Sequence, residues 1–222
     1  MKKTVLLLVV CILLFGCSEK QKDNQDSLRF KEEYESLNTD REYRAIEIDP
    51  DNPFVYATAE DIVRKMENGE SFIVYFGANW CPWCRSVIPV FIDTCKSLDI
   101  KTVYYVDVRP GNDLTKDIRD EYGKDAEGNI IQVQKGTEGY HRFIELAGNV
   151  LDDYQRYDVP TLDGTPYRGA KRVGAPNFIK VENGKAVSMV LGIPESMDDA
   201  YMKLTDEIVN DIRKIFEGFL SE

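Results

Sequence analysis

The chain has 222 residues, 43% of them apolar, with 28 basic and 39 acidic side chains and a net charge of −11. That length favours one domain with extra segments over two full domains, and the apolar share is enough for a real core. The acidic balance argues against nucleic acid as a partner, because binding phosphates needs a basic face.

Lys2 and Lys3 head an unbroken apolar run from Val5 to Phe15. A bilayer span needs roughly 20 apolar residues, so this shorter run reads as the core of a signal peptide, and residues 1–16 are set apart from the fold. Leu14-Phe15-Gly16-Cys17 follows at once. It resembles the lipobox of bacterial lipoproteins, which implies cleavage before Cys17 and lipidation of that cysteine. Several acyl chains hold a protein at a membrane where one does so only marginally. Ser18 to Leu28 is polar without apolar period, so residues 17–41 are expected to carry the anchor and a flexible tether. The expected location is extracytoplasmic, at a membrane, with the domain proper over 42–222.

Glu42 to Ile48 alternates weakly and suggests a leading strand. Thr58 suits a helix N-cap, with Asp61 three residues on, Ile62, Val63 and Met66 as an apolar stripe, and Asn68-Gly69 as the stop. Ser71 to Gly77 is continuously apolar, aromatic and β-branched, the pattern of a strand covered on both faces. Arg85 to Leu98 is helix-like around an internal Pro89, which predicts a kink. Lys101 to Val108 is a second buried strand. Between about 113 and 170 the pattern weakens into an insertion. A short helix is expected over Leu114 to Tyr122, a turn at Glu127-Gly128-Asn129, a longer helix over Thr137 to Leu151, and loop over Tyr154 to Lys171. Asn177 to Val181 and Ala186 to Leu191 flank Asn183-Gly184, a strong hairpin signal. Met197 to Phe219 predicts a closing amphipathic helix.

Of five cysteines, Cys11 lies in the signal and Cys17 is the lipid site, leaving Cys81, Cys84 and Cys95 in the domain. Three cannot build a disulfide framework. One close pair in an exported protein points to redox chemistry. The spacing Cys81-Pro82-Trp83-Cys84, directly after a buried strand and opening a helix, gives that chemistry its geometry. The first thiol faces outward on the first turn and the second sits inward, within bonding reach. Free N–H groups and the positive end of the helix stabilise a thiolate at Cys81. Cys81 is then the nucleophile and Cys84 the resolving thiol. The competing reading, half of a zinc site, needs four ligands and would have to recruit the distant Cys95 and His141. Trp80 and Trp83 flank the sulfurs with apolar surface suited to an extended peptide.

Strand, CxxC helix, strand, insertion, hairpin and helix, in that order, resemble the thioredoxin family over about 71–108 and 172–219. The resemblance implies a three-layer α/β sandwich with a central mixed sheet, here with a helical insertion before the cis-proline strand. It also implies a role for Gly174-Ala175-Pro176-Asn177-Phe178: a cis bond at Pro176 would expose the Ala175 backbone to substrate beside the disulfide. Val159-Pro160-Thr161 is similar locally, but no strand can run through the Asp163, Gly164 and Pro166 that follow. Thioredoxins proper carry a buried aspartate where this chain has Tyr75, and a lysine where it has Val103, so the resolving thiol would rely on water, Tyr75 or another carboxylate. The CPWC dipeptide is similar to that of glutaredoxins, which leaves the redox direction open. Arg85 is expected as an exposed helix arginine, Cys95 as a buried small hydrophobe, and His141 as a surface residue without a role.

The expected function is a thiol–disulfide oxidoreductase acting on cysteines of exported proteins, with a thiol donor or acceptor as second partner, a membrane contact through the lipid anchor, no cofactor and no metal. The alternative is a non-catalytic thioredoxin-like accessory or docking module in secretion. The chain also resembles bacteriocin-transport accessory proteins, which pair a similar strand-CPxC segment with export. The insertion is expected to cap the redox site and select substrates.

Overall fold

The computed structural model describes residues 25–153, 159–160, 166–167 and 171–221. The signal segment, Cys17 and most of the loop 154–170 therefore lie outside the described residues. Five helices are described: α1 (25–35), α2 (Ala59–Glu67), α3 (Pro82–Ser97), α4 (Glu138–Ala147) and α5 (Asp206–Ser221). The strands are β1 (Phe54–Tyr56), β2 (Phe72–Gly77), β3 (Val103–Asp107), β4 (Glu121–Lys124), β5 (Ile130–Gln134), β6 (Val159–Pro160), β7 (Pro166–Tyr167), β8 (Asn177–Glu182) and β9 (Lys185–Val190). A five-stranded sheet runs β1-β3-β2-β8-β9, with β1, β2 and β3 parallel and β8 and β9 antiparallel. Two small hairpins, β4–β5 and β6–β7, stand apart from it.

Strand alternation decides which helices cover which face. Tyr75 of β2 lies opposite Tyr105 of β3 and Phe178 of β8. On their face Phe178 meets Phe91 of α3 at 4.4 Å and Phe216 of α5 at 4.8 Å. Phe30 of α1 stacks on Phe54 at 4.1 Å and meets Tyr105 at 4.9 Å. On the other face Phe76 packs on Phe143 of α4 at 4.7 Å, and α4 lies against α2. The architecture is mixed α/β, with a central mixed sheet between helices.

The local signals explain the well-placed elements. Thr58 caps α2 with a reciprocal box: its hydroxyl accepts from Asp61 N–H while the Asp61 carboxylate accepts from Thr58 N–H, worth about 1 kcal/mol. Asn183 and Gly184 both take positive φ, 49° and 77°, as the β8–β9 turn requires. Pro89 lies inside α3 as read.

Four expectations are corrected. Residues 25–41 are no tether: 25–35 form α1, with Phe30 and Tyr34, four residues apart, fully buried. The leading strand is β1, not Glu42 to Ile48. That segment opens on a turn at Glu42 and forms no strand, and its backbone groups pair with side chains instead. Ile46 N–H donates to Asn38 Oδ1 and Ile46 O accepts from Asn38 Nδ2, while Ile48 N–H donates to Glu35 and Ile48 O accepts from Lys31. Leu114 to Tyr122 holds only a three-residue 3-10 turn, Leu114–Lys116, before β4 begins, so the described part of the insertion carries the two hairpins β4–β5 and β6–β7 and one helix, α4. Finally, α5 starts at Asp206 instead of Met197. The Ala200 carbonyl accepts from Arg44 and from Ser86 Oγ at 2.9 Å, where a helix would give it an amide. Thr205 opens the true helix, with its carbonyl accepting from Val209 N–H at 2.9 Å.

Candidate active site

The strand β2 delivers the chain to residues 78–81, where Cys81 N–H bonds Ala78 O at 3.2 Å. Cys81 is the N-cap of α3, and its carbonyl accepts the first helical bond from Arg85 N–H at 3.0 Å. Pro82 fills the first helical position, where its fixed φ suits the turn and its missing N–H costs nothing. Cys81 retains 5% exposure and Cys84 none. Both are free thiols.

The start of β8 closes over this turn. The Ala175–Pro176 peptide bond is cis, and the Cys81 thiol lies 3.1 Å from Ala175 O, to which it donates. Trp80 is fixed from the side: its indole N–H donates to Arg109 O at 2.9 Å, and the Arg109 guanidinium sits 5.0 Å from its ring centre. Trp83 is half-buried on the first turn of α3. Cys81, Cys84, Trp80, Pro82, Trp83, Ala175 and Pro176 thus meet in one place. Trp80, Trp83, Ala175 and Pro176 line a cavity of about 570 Å³. Cys17 lies outside the described residues.

The two sulfurs differ in environment. A hydrogen bond from the Cys84 thiol, with N–H groups of Cys84 and Trp83 and the nearby charge of Arg119, holds the Cys81 thiol below its ordinary pKa. Burial pushes Cys84 well above its own, against a hydrogen bond from Tyr75 and one from the Ala78 backbone. At neutral pH the outer sulfur is the better nucleophile and the inner one holds its proton. Cys95 is fully buried, and burial pushes it up to about 12, the behaviour of a small hydrophobe. Among the described residues no group of three or more His, Cys, Asp or Glu is arranged to hold a metal ion.

Three features escape the sequence reading. Arg85 is fully buried, not exposed. Its guanidinium donates to Arg44 O (2.7 Å), Tyr34 O (2.7 Å), Asn79 O (3.0 Å) and Asn38 Oδ1 (2.8 Å), which ties the N-terminal segment onto α3. Next to the cavity, Arg109 and Arg119 share Asp117, and Arg109 and Arg172 share Glu121 at 2.9 and 2.6 Å. The alternation Asp117-x-Arg119-x-Glu121 was the available signal, placing three charged groups on one face of an extended segment. His141 is engaged by the Asp120 carboxylate at 2.9 Å and lies away from the thiols' cavity. Besides Arg85 and the arginine–carboxylate cluster, the third feature is Tyr34, fully buried with its hydroxyl 2.9 Å from that of Tyr75.

No family model matches the chain. It is 27% identical over 104 residues to a thioredoxin H-type of Oryza sativa subsp. indica, covering 47% of this chain and 79% of that protein. It is 28% identical over 71 residues to thioredoxin H4 of Arabidopsis thaliana, covering 32% of this chain and 56% of that protein. A crystal structure of a thiol:disulfide interchange protein of the thioredoxin family from Chlorobium tepidum aligns with 68% of this chain and 82% of its own, at 18% identity and a TM-score of 0.28. The chain is similar to thioredoxins at low identity, and its sheet order and helix placement are those of a thioredoxin-like α/β fold.

Proposed function

We propose that the protein is a thiol–disulfide oxidoreductase that exchanges electrons with cysteines of exported proteins. The observation that carries this reading is one depressed, slightly exposed thiol at a helix N-terminus, 3.1 Å from the Ala175 carbonyl beside a cis-proline, with a second thiol buried beneath it. In the reducing direction the Cys81 thiolate attacks a substrate disulfide. One substrate sulfur bonds Cys81, and the other leaves as a thiolate and takes up a proton. Cys84 then displaces the first sulfur, the Cys81–Cys84 disulfide forms, and two electrons have passed to the substrate. The forming direction is the reverse, with an oxidised pair and a substrate dithiol.

Trp80, Trp83, Ala175 and Pro176 would seat an extended stretch of substrate in the cavity, with Ala175 pairing its backbone. The rim of arginines and carboxylates from Arg109 to Arg172 would favour some substrates over others. Cys17 would carry the lipid that holds the domain at a membrane. No helix among the described residues is itself long and apolar enough to cross one.

The test is reduction of insulin by dithiothreitol with catalytic amounts of protein. Cys81→Ser is expected to abolish turnover, and Cys84→Ser to accumulate mixed disulfides with partner proteins. A wild-type protein that neither turns over nor yields trapped partners through Cys84→Ser would favour the docking-module reading.

A further inference from the structure

The buried thiol has a partner that the redox pair alone does not explain. The Tyr34 hydroxyl lies 2.9 Å from the Tyr75 hydroxyl, and the Tyr75 hydroxyl acts on the Cys84 thiol as a hydrogen-bonding group that pulls its pKa down against burial. Both tyrosines are fully buried. The Tyr75 ring is held in a stack, 4.6 Å from Phe178 at 16° and 5.3 Å from Tyr105 at 20°. Gly77 leaves room for it: a Cβ there would lie 2.0 Å from the Tyr75 hydroxyl oxygen. Tyr34 is set in turn by Arg85, which donates to its carbonyl at 2.7 Å.

We propose that Tyr75 is a catalytic residue of the resolving step, donating its hydroxyl hydrogen bond to the Cys84 sulfur as that sulfur becomes anionic, with Tyr34 as the positioning residue behind it. The inference rests on the redox reading above and adds who stabilises the second sulfur. Cys84 gives up its proton, its sulfur bonds Cys81 Sγ, and the bond between Cys81 and the substrate sulfur breaks. The substrate leaves as a thiolate, and the proton released from Cys84 balances the one it takes up. Tyr75 keeps its own proton throughout, because burial pushes it well above the ordinary phenol range. It acts as a donor and not as a base. Tyr34 donates to the Tyr75 oxygen, which polarises the Tyr75 O–H toward sulfur. A donor fixed in a dry core before the charge appears needs no reorganisation when it does.

The experiment uses the reduced protein and an excess of the aromatic disulfide dithiobis(nitrobenzoate), followed by stopped-flow absorbance. The first equivalent of coloured thiolate reports attack by Cys81, and the second reports resolution by Cys84. Tyr75→Phe is expected to slow the second phase about tenfold or more, the loss of a hydrogen bond to a charged group, and to move its pH profile upward. The first phase should change less than about threefold by the same scale. Tyr34→Phe should slow the second phase by a smaller factor and leave the first alone; if Tyr75→Phe fails to fold, this variant decides. A second phase with unchanged rate and pH profile overturns the role of Tyr75 while leaving the redox pair standing. A wild-type protein with no second phase overturns both.

Discussion

Asp107 ends β3 beside the redox helix, and burial lifts its carboxyl from 3.8 to about 6, with the carboxylates of Glu33 and Asp117 adding to the rise. The sign of its effect follows directly. Between about pH 4 and 6 the folded chain holds a proton that the unfolded chain has lost, so this group's contribution to stability falls as pH rises through that window and stays lost above it. Asp107→Asn should leave stability unchanged near pH 4 and raise it by about 2–3 kcal/mol near pH 7.5. The Asn Oδ1 can still accept from Arg109 N–H, as the carboxylate does at 2.9 Å. Urea titrations at the two pH values check this; an equal gain at both would mean that the proton is not involved. Tyr75 shows a related principle. A side chain that holds its proton at all working pH values can serve a reaction by giving a hydrogen bond, where a carboxylate at the same place would exchange the proton itself.

At the scale of elements, α1 and the segment after it behave as part of the core. Phe30 stacks on Tyr34 at 4.3 Å and on Phe54, and Arg85 collects three carbonyls and the Asn38 side chain with no carboxylate among them. Truncating Arg85 leaves those acceptors dry, at about 1–3 kcal/mol each. Arg85→Ala is expected to cost at least about 3 kcal/mol, and Phe30→Ala about 3–5 kcal/mol. Their joint effect should be smaller than the sum, since each releases the same segment. Denaturant titration of the singles and the double measures this, and strict additivity would count against a shared unit. These elements mark where sequence reasoning stopped. Phe72 to Gly77 and the Asn183-Gly184 turn were legible because their signals are local: a continuous apolar run, and a dipeptide with the right φ. Cys81 and Cys84 were legible from spacing, and Pro176 from the resemblance to thioredoxins. Phe30 and Tyr34 sit in a polar stretch, and two aromatics four residues apart are a thin signal. The burial of Arg85 depends on residues 34–46 folding over it, which no local pattern around Arg85 records. The missing strand at Glu42 to Ile48 failed for the same reason, as its backbone partners are the side chains of Lys31, Glu35 and Asn38.

At the scale of the molecule, the net charge of −11 sets which disulfides approach fastest. Long-range repulsion slows anionic reactants and favours cationic ones. The protein is expected to react faster with cystamine than with glutathione disulfide. The gap should narrow as salt rises, since screening acts over about 10 Å at 0.1 M. A preference that is independent of salt would place selectivity in the arginines and carboxylates around the cavity instead of in the overall field. Those groups have a structural duty too. Asp117 is buried between Arg109 and Arg119, so the insertion is bound to the rim of the thiol site by charge as well as by packing.

Trp80 and Trp83 are the two tryptophans of the chain, and both stand beside the sulfurs. Indole emission is quenched by a neighbouring disulfide and sensitive to what covers the ring. The protein therefore carries its own optical gauge. Its oxidation state and the arrival of a polypeptide in the cavity should both be visible in tryptophan fluorescence, excited beyond the tyrosine absorption band, with no label attached and no other indole in the chain.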